Sequence, residues 1–324
     1  MKTQHLRLAT PLLAALAAAA LPTPTLATPT PATFTPAKAE KHVTIDLLTD
    51  PTTVVAGSTT TLAIRFKIES GWHIYWNGLN DTGFAPIVTF KGPTGATFDT
   101  LQWPTPIRHT AEGDILDHIY ENEVILLTTV TIPQSTAPGE LKIEADAKWL
   151  VCKEACVAES GSTSTKLTVV ATKPTLAPEP TDATKAIEAT RKRIPTPLKP
   201  ADNVKVTANI ETLSISDPLA TEMTFFPRSG TKVPSEPIKE CTSKSTQLNI
   251  SLQNPAGADP ASTVNGVISI IRKDGSKIDR EISVPLSIFP TKAKPDGSMP
   301  DGEVPASNPK LMPTEPPKKP KSPK

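Results

Sequence analysis

The chain has 324 residues, room for two domains of roughly 100 to 200 residues each. Only 37% are apolar and 36 are proline, about twice the average share of roughly 5%, which argues against a mainly helical protein. With 34 basic and 33 acidic side chains the formal charge is +1, so no global field draws the chain onto nucleic acid or an anionic membrane. All four tryptophans (Trp72, Trp76, Trp103, Trp149) and both tyrosines (Tyr75, Tyr120) fall in one stretch, which marks it as the candidate core.

The first segment reads as a secretory signal over residues 1–27. Lys2, His5 and Arg7 precede a Leu/Ala-rich run from Leu8 to Leu21, followed by Pro22, Pro24 and a small-residue cleavage site at Thr25-Leu26-Ala27. As a helix the run rises only about 21 Å, short of a hydrocarbon core of roughly 30 Å. The mature chain is therefore expected outside the cytoplasm, without a membrane span. A Thr/Pro-rich leader follows over residues 28–42.

From residue 43 the pattern turns to strands. In Thr61–Ile68, Leu62, Ile64, Phe66 and Ile68 alternate with Ala63, Arg65 and Lys67, which places one apolar row against a core. Similar runs occupy Val43–Leu48, Ile87–Phe90, Thr97–Trp103, Val124–Ile132, Leu141–Leu150 and Thr165–Val170, separated by turn residues. This spacing predicts an immunoglobulin-like sandwich over residues 43–172. Residues 173–201 read as a linker holding a short helix, Thr181–Ile194, capped by Thr181 or Asp182 and stopped by Pro195 and Pro197. A second, smaller β domain is expected over residues 202–290, from Val204 through Glu222–Phe226 and Gln247–Leu252 to a hairpin turning at Asp274-Gly275. The fold class is thus all-β, and the Pro/Lys-rich residues 291–324 read as a disordered tail.

Chemistry centres on cysteine. Cys152 and Cys156 lie four apart, and in an exported protein such neighbours meet oxidants and pair. Closing so short a loop removes little chain entropy, which suits a bond that opens and closes better than a staple. A passive hairpin staple and a two-cysteine metal half-site stand beside that reading. Cys241 is the odd thiol and reads as a semi-buried free cysteine.

The segments Gly71-Trp-His-Ile-Tyr-Trp76, Asn80-Asp-Thr-Gly83, Gln102-Trp-Pro-Thr-Pro106, Tyr120-Glu-Asn-Glu-Val124 and Trp149-Leu-Val-Cys-Lys-Glu-Ala-Cys156, in this order, resemble the N-terminal periplasmic domain of the thiol:disulfide interchange protein DsbD, in its ScsB-like branch. The resemblance covers about residues 43–172, and more weakly the helix and Phe225-Phe226-Pro227. It implies an immunoglobulin-like domain whose cysteines, here Cys152 and Cys156, accept electrons from a membrane-embedded donor and pass them to thioredoxin-like periplasmic proteins. It also implies a cap loop over the disulfide, matching Arg108 to Tyr120, and an aromatic neighbour at Tyr75. No membrane domain or thioredoxin domain follows in this sequence, so the donor is expected on a separate chain.

Within the cap, Asp114, Asp117 and His118 can shuttle a proton during exchange; as loop solubilisers they would need no further role, and that is the favoured reading. His73, His109 and His118 with the thiols can in principle hold copper or zinc, but their spacing forms no metal motif, and surface or loop histidines are favoured. No cofactor is expected. The competing functions are a non-catalytic cell-envelope binding module with a structural disulfide and a copper- or zinc-handling protein.

Overall fold

The computed structural model describes residues 40–172, 179–229, 231–254 and 263–286. The expected signal segment, residues 28–39 of the leader, residues 173–178 of the linker and the tail over 291–324 lie outside them.

Eleven strands build the first half among the described residues: β1 (Val43–Asp50), β2 (Thr53–Val55), β3 (Thr59–Ile68), β4 (His73–Tyr75), β5 (Ile87–Lys91), β6 (Thr97–Phe98), β7 (Ile107–Ala111), β8 (Ile115–Glu121), β9 (Glu123–Thr131), β10 (Gly139–Cys152) and β11 (Cys156–Val170). They form two sheets, ordered β1-β3-β9-β6 and β2-β11-β10-β4-β8-β7, with β5 also paired to β10. Between them lies the immunoglobulin-like core. Leu62, Ile64 and Phe66 from β3 and Val124 and Leu126 from β9 meet Ile143, Trp149 and Leu167 from the other sheet. Phe66 meets Trp149 edge to face at 5.6 Å, the geometry that ring quadrupoles favour. Three of the four tryptophans belong to this core; Trp72 is half-buried and stacks on His42 at 3.6 Å.

The outer face of the β1-β3-β9 sheet is apolar too, and α1 (Asp182–Arg191) covers it. Thr181 caps the helix by accepting from the Thr184 amide, and Ile187 packs on Ala63, Ile125 and Leu127. This explains why β9 reads as a nearly continuous apolar run rather than an alternation: both of its faces are covered.

The second half holds β12 (Thr196–Pro197), a 3-10 turn (Pro200–Asp202), β13 (Lys205–Ala208), β14 (Thr212–Ser216), β15 (Ala220–Pro227), β16 (Val233–Pro234), α2 (Pro237–Glu240), β17 (Thr242–Ser243), β18 (Gln247–Gln253), β19 (Thr263–Arg272) and β20 (Lys277–Pro285). Its sheets run β12-β20-β19-β15-β17 and β13-β14-β18-β16 around Leu213, Phe225, Leu248, Ile250 and Ile268. The β19–β20 hairpin turns where the sequence signalled it. Gly275 takes φ +80°, and Asp274 accepts hydrogen bonds from the Ser276 amide and hydroxyl. Phe226 and Val267 leave this second core and join the first. Leu79 N donates to Pro227 O at 2.9 Å, and Arg228 lies over Trp76 at 5.1 Å while donating to Asn77 Oδ1.

Three sequence expectations need correction. The stretch Arg108 to Tyr120 is a strand pair rather than a loop, turning at Gly113 (φ +84°) and Asp114 (φ +58°). Ser/Thr-rich Val157–Ser164 extends β11 to 15 residues because it pairs with β10 all the way to the cysteines; no apolar alternation announced it because its half-buried positions are Glu159, Gly161 and Thr163. Cys241 is fully buried rather than half-buried, and burial pushes its thiol up to about 12.

An ion pair ties the start of the second half to its last strand. Arg280 donates from Nε and Nη2 to the two carboxylate oxygens of Asp202, each at 2.7 Å, and these bonds, foremost, hold the Asp202 carboxyl down to about 2. Since that lies below the ordinary 3.8, the pair's contribution is complete above about pH 4 and is lost as pH falls through about 2. Asp202→Asn should therefore lower the melting temperature near neutrality. It should also show a smaller further loss than the parent between about pH 5 and pH 2; equal acid-induced losses in calorimetric scans would contradict this assignment.

Candidate redox site

The site begins with a turn. β10 and β11 are one long hairpin, paired from Gly139↔Val169 to Cys152↔Cys156, and Lys153-Glu154-Ala155 closes it with Lys153 N donating to Ala155 O. The last register pair is thus the cysteine pair, bonded as a disulfide with Cα atoms 4.1 Å apart. Chain-entropy arithmetic for so short a loop gives about 2 kcal/mol, against about 4.7 for a loop of 100 residues. The ladder pairs the two strands along their whole length besides the bond.

Its two sulfurs have different surroundings. Cys156 is exposed beside exposed Val157, whereas Cys152 is 3% exposed and packs with Tyr75, Ile119 and Leu150. Register explains the burial. Cys152 pairs with His73 on β4, His73 with Glu121 on β8, Tyr75 with Ile119, and Ile119 with Ile107 on β7. Alternation puts every second residue on one face, so Cys152, His73, Tyr75, Asp117, Ile119, Ile107 and His109 share one.

On that face a chain of hydrogen bonds ends at sulfur. The Tyr75 hydroxyl lies 3.0 Å from Cys152 Sγ, 3.6 Å from Cys156 Sγ and 3.0 Å from Thr82 Oγ1. Thr82 Oγ1 donates to Asp117 Oδ2 at 2.5 Å, while Asp117 Oδ1 accepts from the amides of Asp81 and Thr82. Burial pushes the Tyr75 phenol above its ordinary range, so it stays protonated and available as a donor.

The Asn80-Asp-Thr-Gly83 segment builds this arrangement residue by residue. Asn80 Oδ1 accepts from His118 N and Asp81 Oδ2 accepts from Leu116 N, which fastens the loop to β8. Thr82 then bridges Asp117 and Tyr75. A Cβ on Gly83 would stand 2.1 Å from Tyr75 Cζ, so only glycine leaves room for the ring. Thr82 and Gly83 are the site residues that sequence reasoning left without a role, although the motif containing them was visible.

The other candidates are placed differently. Asp117 and His118 are buried, 3% and 0% exposed, so neither is a loop solubiliser. His118 lies on the opposite face, with Nδ1 against Leu79 O at 2.6 Å and its ring edge-on to Trp76 and Phe226. Burial lowers its pKa, and the ring nitrogen facing Leu79 O then serves as the donor. Asp114 sits exposed at the hairpin tip and lines a small cleft with Glu236–Lys239. His73 and His109 are neighbours, ring centroids 5.5 Å apart, and burial first, then the charge of His109, lowers the pKa of His73. Among the described residues no three His, Cys, Asp or Glu side chains gather as metal ligands. A cleft of about 620 Å³ between Trp103, Arg191, Pro195 and Arg228 does not include the cysteines.

Residues 46–168 match the family model described as thiol:disulfide interchange protein DsbD, N-terminal. No curated protein sequence matches the chain. Among solved structures, the N-terminal periplasmic domain of ScsB from Proteus mirabilis is 14% identical with a TM-score of 0.53, covering 78% of this chain and 96% of that one, a likeness of fold that extends beyond the first sandwich. The reduced N-terminal domain of DsbD from Neisseria meningitidis is 16% identical over 35% of this chain and 81% of that one, with a TM-score of 0.21. The disulfide-bearing segment, residues 46–168, is thus similar to the N-terminal domain of the thiol:disulfide interchange protein DsbD.

Proposed function

We propose that this is an exported thiol-disulfide exchange protein whose Cys152–Cys156 couple relays electrons from a membrane-embedded thiol donor on a separate chain to thioredoxin-like periplasmic proteins. The observation that carries the reading is the asymmetry of the bond: one sulfur faces outward and the other rests on a phenol.

Access makes Cys156 the attacked atom. An incoming thiolate forms a bond to Cys156 Sγ, the Cys152–Cys156 bond breaks, and its electron pair leaves on Cys152 as a thiolate. The Tyr75 hydroxyl has one proton and three acceptors within reach, Thr82 Oγ1 and Cys152 Sγ at 3.0 Å and Cys156 Sγ at 3.6 Å. A disulfide sulfur is a weak acceptor and leaves that proton to Thr82; a thiolate is charged and draws it over. Asp117 keeps the Thr82 proton directed away, so Thr82 faces Tyr75 as an acceptor. The second thiol of the donor then attacks its own sulfur in the mixed disulfide and releases Cys156 as a thiolate, leaving the pair reduced and the donor oxidised. Electrons pass onward by the same steps in reverse, against an oxidised acceptor.

A structural staple is the weaker reading, because the bond adds about 2 kcal/mol to a hairpin already paired along its length. Copper or zinc handling is weaker too, since His118 faces away from the thiols.

Two outcomes are expected. With an oxidised thioredoxin-like acceptor, whose own disulfide is the bond that breaks, Cys152→Ala should accumulate a mixed disulfide through Cys156, and Cys156→Ala should form none; non-reducing electrophoresis with peptide mapping reads both, and a trap on Cys152 would reverse the assignment. Tyr75→Phe should slow reduction of the disulfide by a small dithiol about tenfold or more, since a hydrogen bond to a charged group is worth roughly 1.5–3 kcal/mol. An unchanged rate would remove the phenol from the reaction.

A further inference from the structure

The β7–β8 hairpin has two faces, and only one belongs to the redox site. Ile107, His109, Asp117 and Ile119 point toward the disulfide side, and Ile119 packs on Cys152. Their neighbours Arg108 and His118 pair across the hairpin and point the other way, onto the second sandwich. There Arg108 Nη2 donates to Ile238 O at 2.7 Å, and the His118 ring lies 5.3 Å from that of Phe226. The hairpin tip at Asp114 shares its small cleft with residues 236–239. One strand pair thus covers the buried sulfur with its front and grips the other sandwich with its back.

We propose that the second sandwich is a brace that keeps the hairpin closed over Cys152, with Arg108 as the positioning residue. It rests on the exchange reading for its purpose, since a closed hairpin directs every incoming thiol to Cys156. Arg108 touches neither sulfur and acts through β7. The residue is half-buried, and among the described residues its buried Nε has no hydrogen-bond partner, so its hydrogen bond to the second sandwich is the one to Ile238 O. Losing that bond frees the strand whose Ile107 lies beside Ile119, and Ile119 is part of the cover on Cys152.

The test reads each thiol separately. The full chain is reduced, exposed to iodoacetamide, and sampled over time for carbamidomethylated Cys152 and Cys156 by peptide mass spectrometry. In the parent, Cys156 should react about tenfold faster than Cys152 or more, reflecting a closed state favoured by about 1.4 kcal/mol or more. Arg108→Ala should raise the Cys152 rate about tenfold, leave Cys156 within about twofold, and leave the melting temperature near that of the parent. Arg108→Lys, which keeps a cationic donor, should stay close to the parent. Should Arg108→Ala fail to fold, Arg108→Gln carries the same expectation as the alanine variant. A Cys152 rate unchanged in whichever of these two melts like the parent overturns the brace. Because alkylation needs no protein partner, a chain that exchanges with no thioredoxin-like protein yet shows the tenfold rise would lose the relay and keep the brace.

Discussion

An extended strand must send consecutive side chains to opposite faces, and this constraint organises both the site and its support. Through the pairings of β10, β4, β8 and β7 it brings Cys152, Tyr75, Asp117 and Ile119 together on one side. The same pairings deliver Ile74 and Tyr120 to the first core, and Arg108 and His118 to the second sandwich. A register slip of one residue would exchange the two sets, putting the phenol in the core and a guanidinium at the disulfide. Ordinary ladder pairing therefore fixes the chemistry, and the core fixes the ladder, because Ile74, Tyr120, Trp149 and Val151 have no other place to be buried.

The disulfide closes a short loop, for which chain entropy accounts for about 2 kcal/mol. It joins residues that the hairpin already places opposite each other, so opening it leaves the ladder from Gly139↔Val169 to Val151↔Val157 in place. What the fold does invest in is the environment of one sulfur. A buried carboxylate with three hydrogen bonds, a threonine hydroxyl and a phenol are lined up behind Cys152, and a glycine is placed where any side chain would displace the phenol. Buried polar groups are costly unless satisfied, and here each one is satisfied by the next, ending at Cys152 Sγ.

Much of this was legible in the chain. The alternation in Thr61–Ile68, the Asp274-Gly275 turn, the Thr181 cap and the cysteine spacing are local signals, each arising from residues close in sequence, and each has its counterpart in the structure. The misread segments share a cause. Val157–Ser164 is a strand because β10 pairs with it, although Val157 is its one bulky apolar side chain. Arg108 to Tyr120 is a hairpin with one face at the disulfide and the other shared between the first core and the second sandwich, so neither strand shows a simple alternation of apolar and polar residues. Asp117 and His118 read as solubilising residues because burial of a charge or an imidazole depends on partners that lie elsewhere, at Thr82 and at Leu79.

By itself, then, the sequence determined the all-β class, the helix between the two sandwiches and the pair of neighbouring cysteines, because strand periodicity, helix caps and cysteine spacing are properties of neighbouring residues. Tertiary structure decided which sulfur is exposed, which hydroxyl faces the other, and that the back of the covering hairpin rests on the second sandwich. Those outcomes depend on contacts between residues as far apart as Tyr75 and Cys152 or Arg108 and Ile238, and no local pattern encodes a distance that only the packed sheets create.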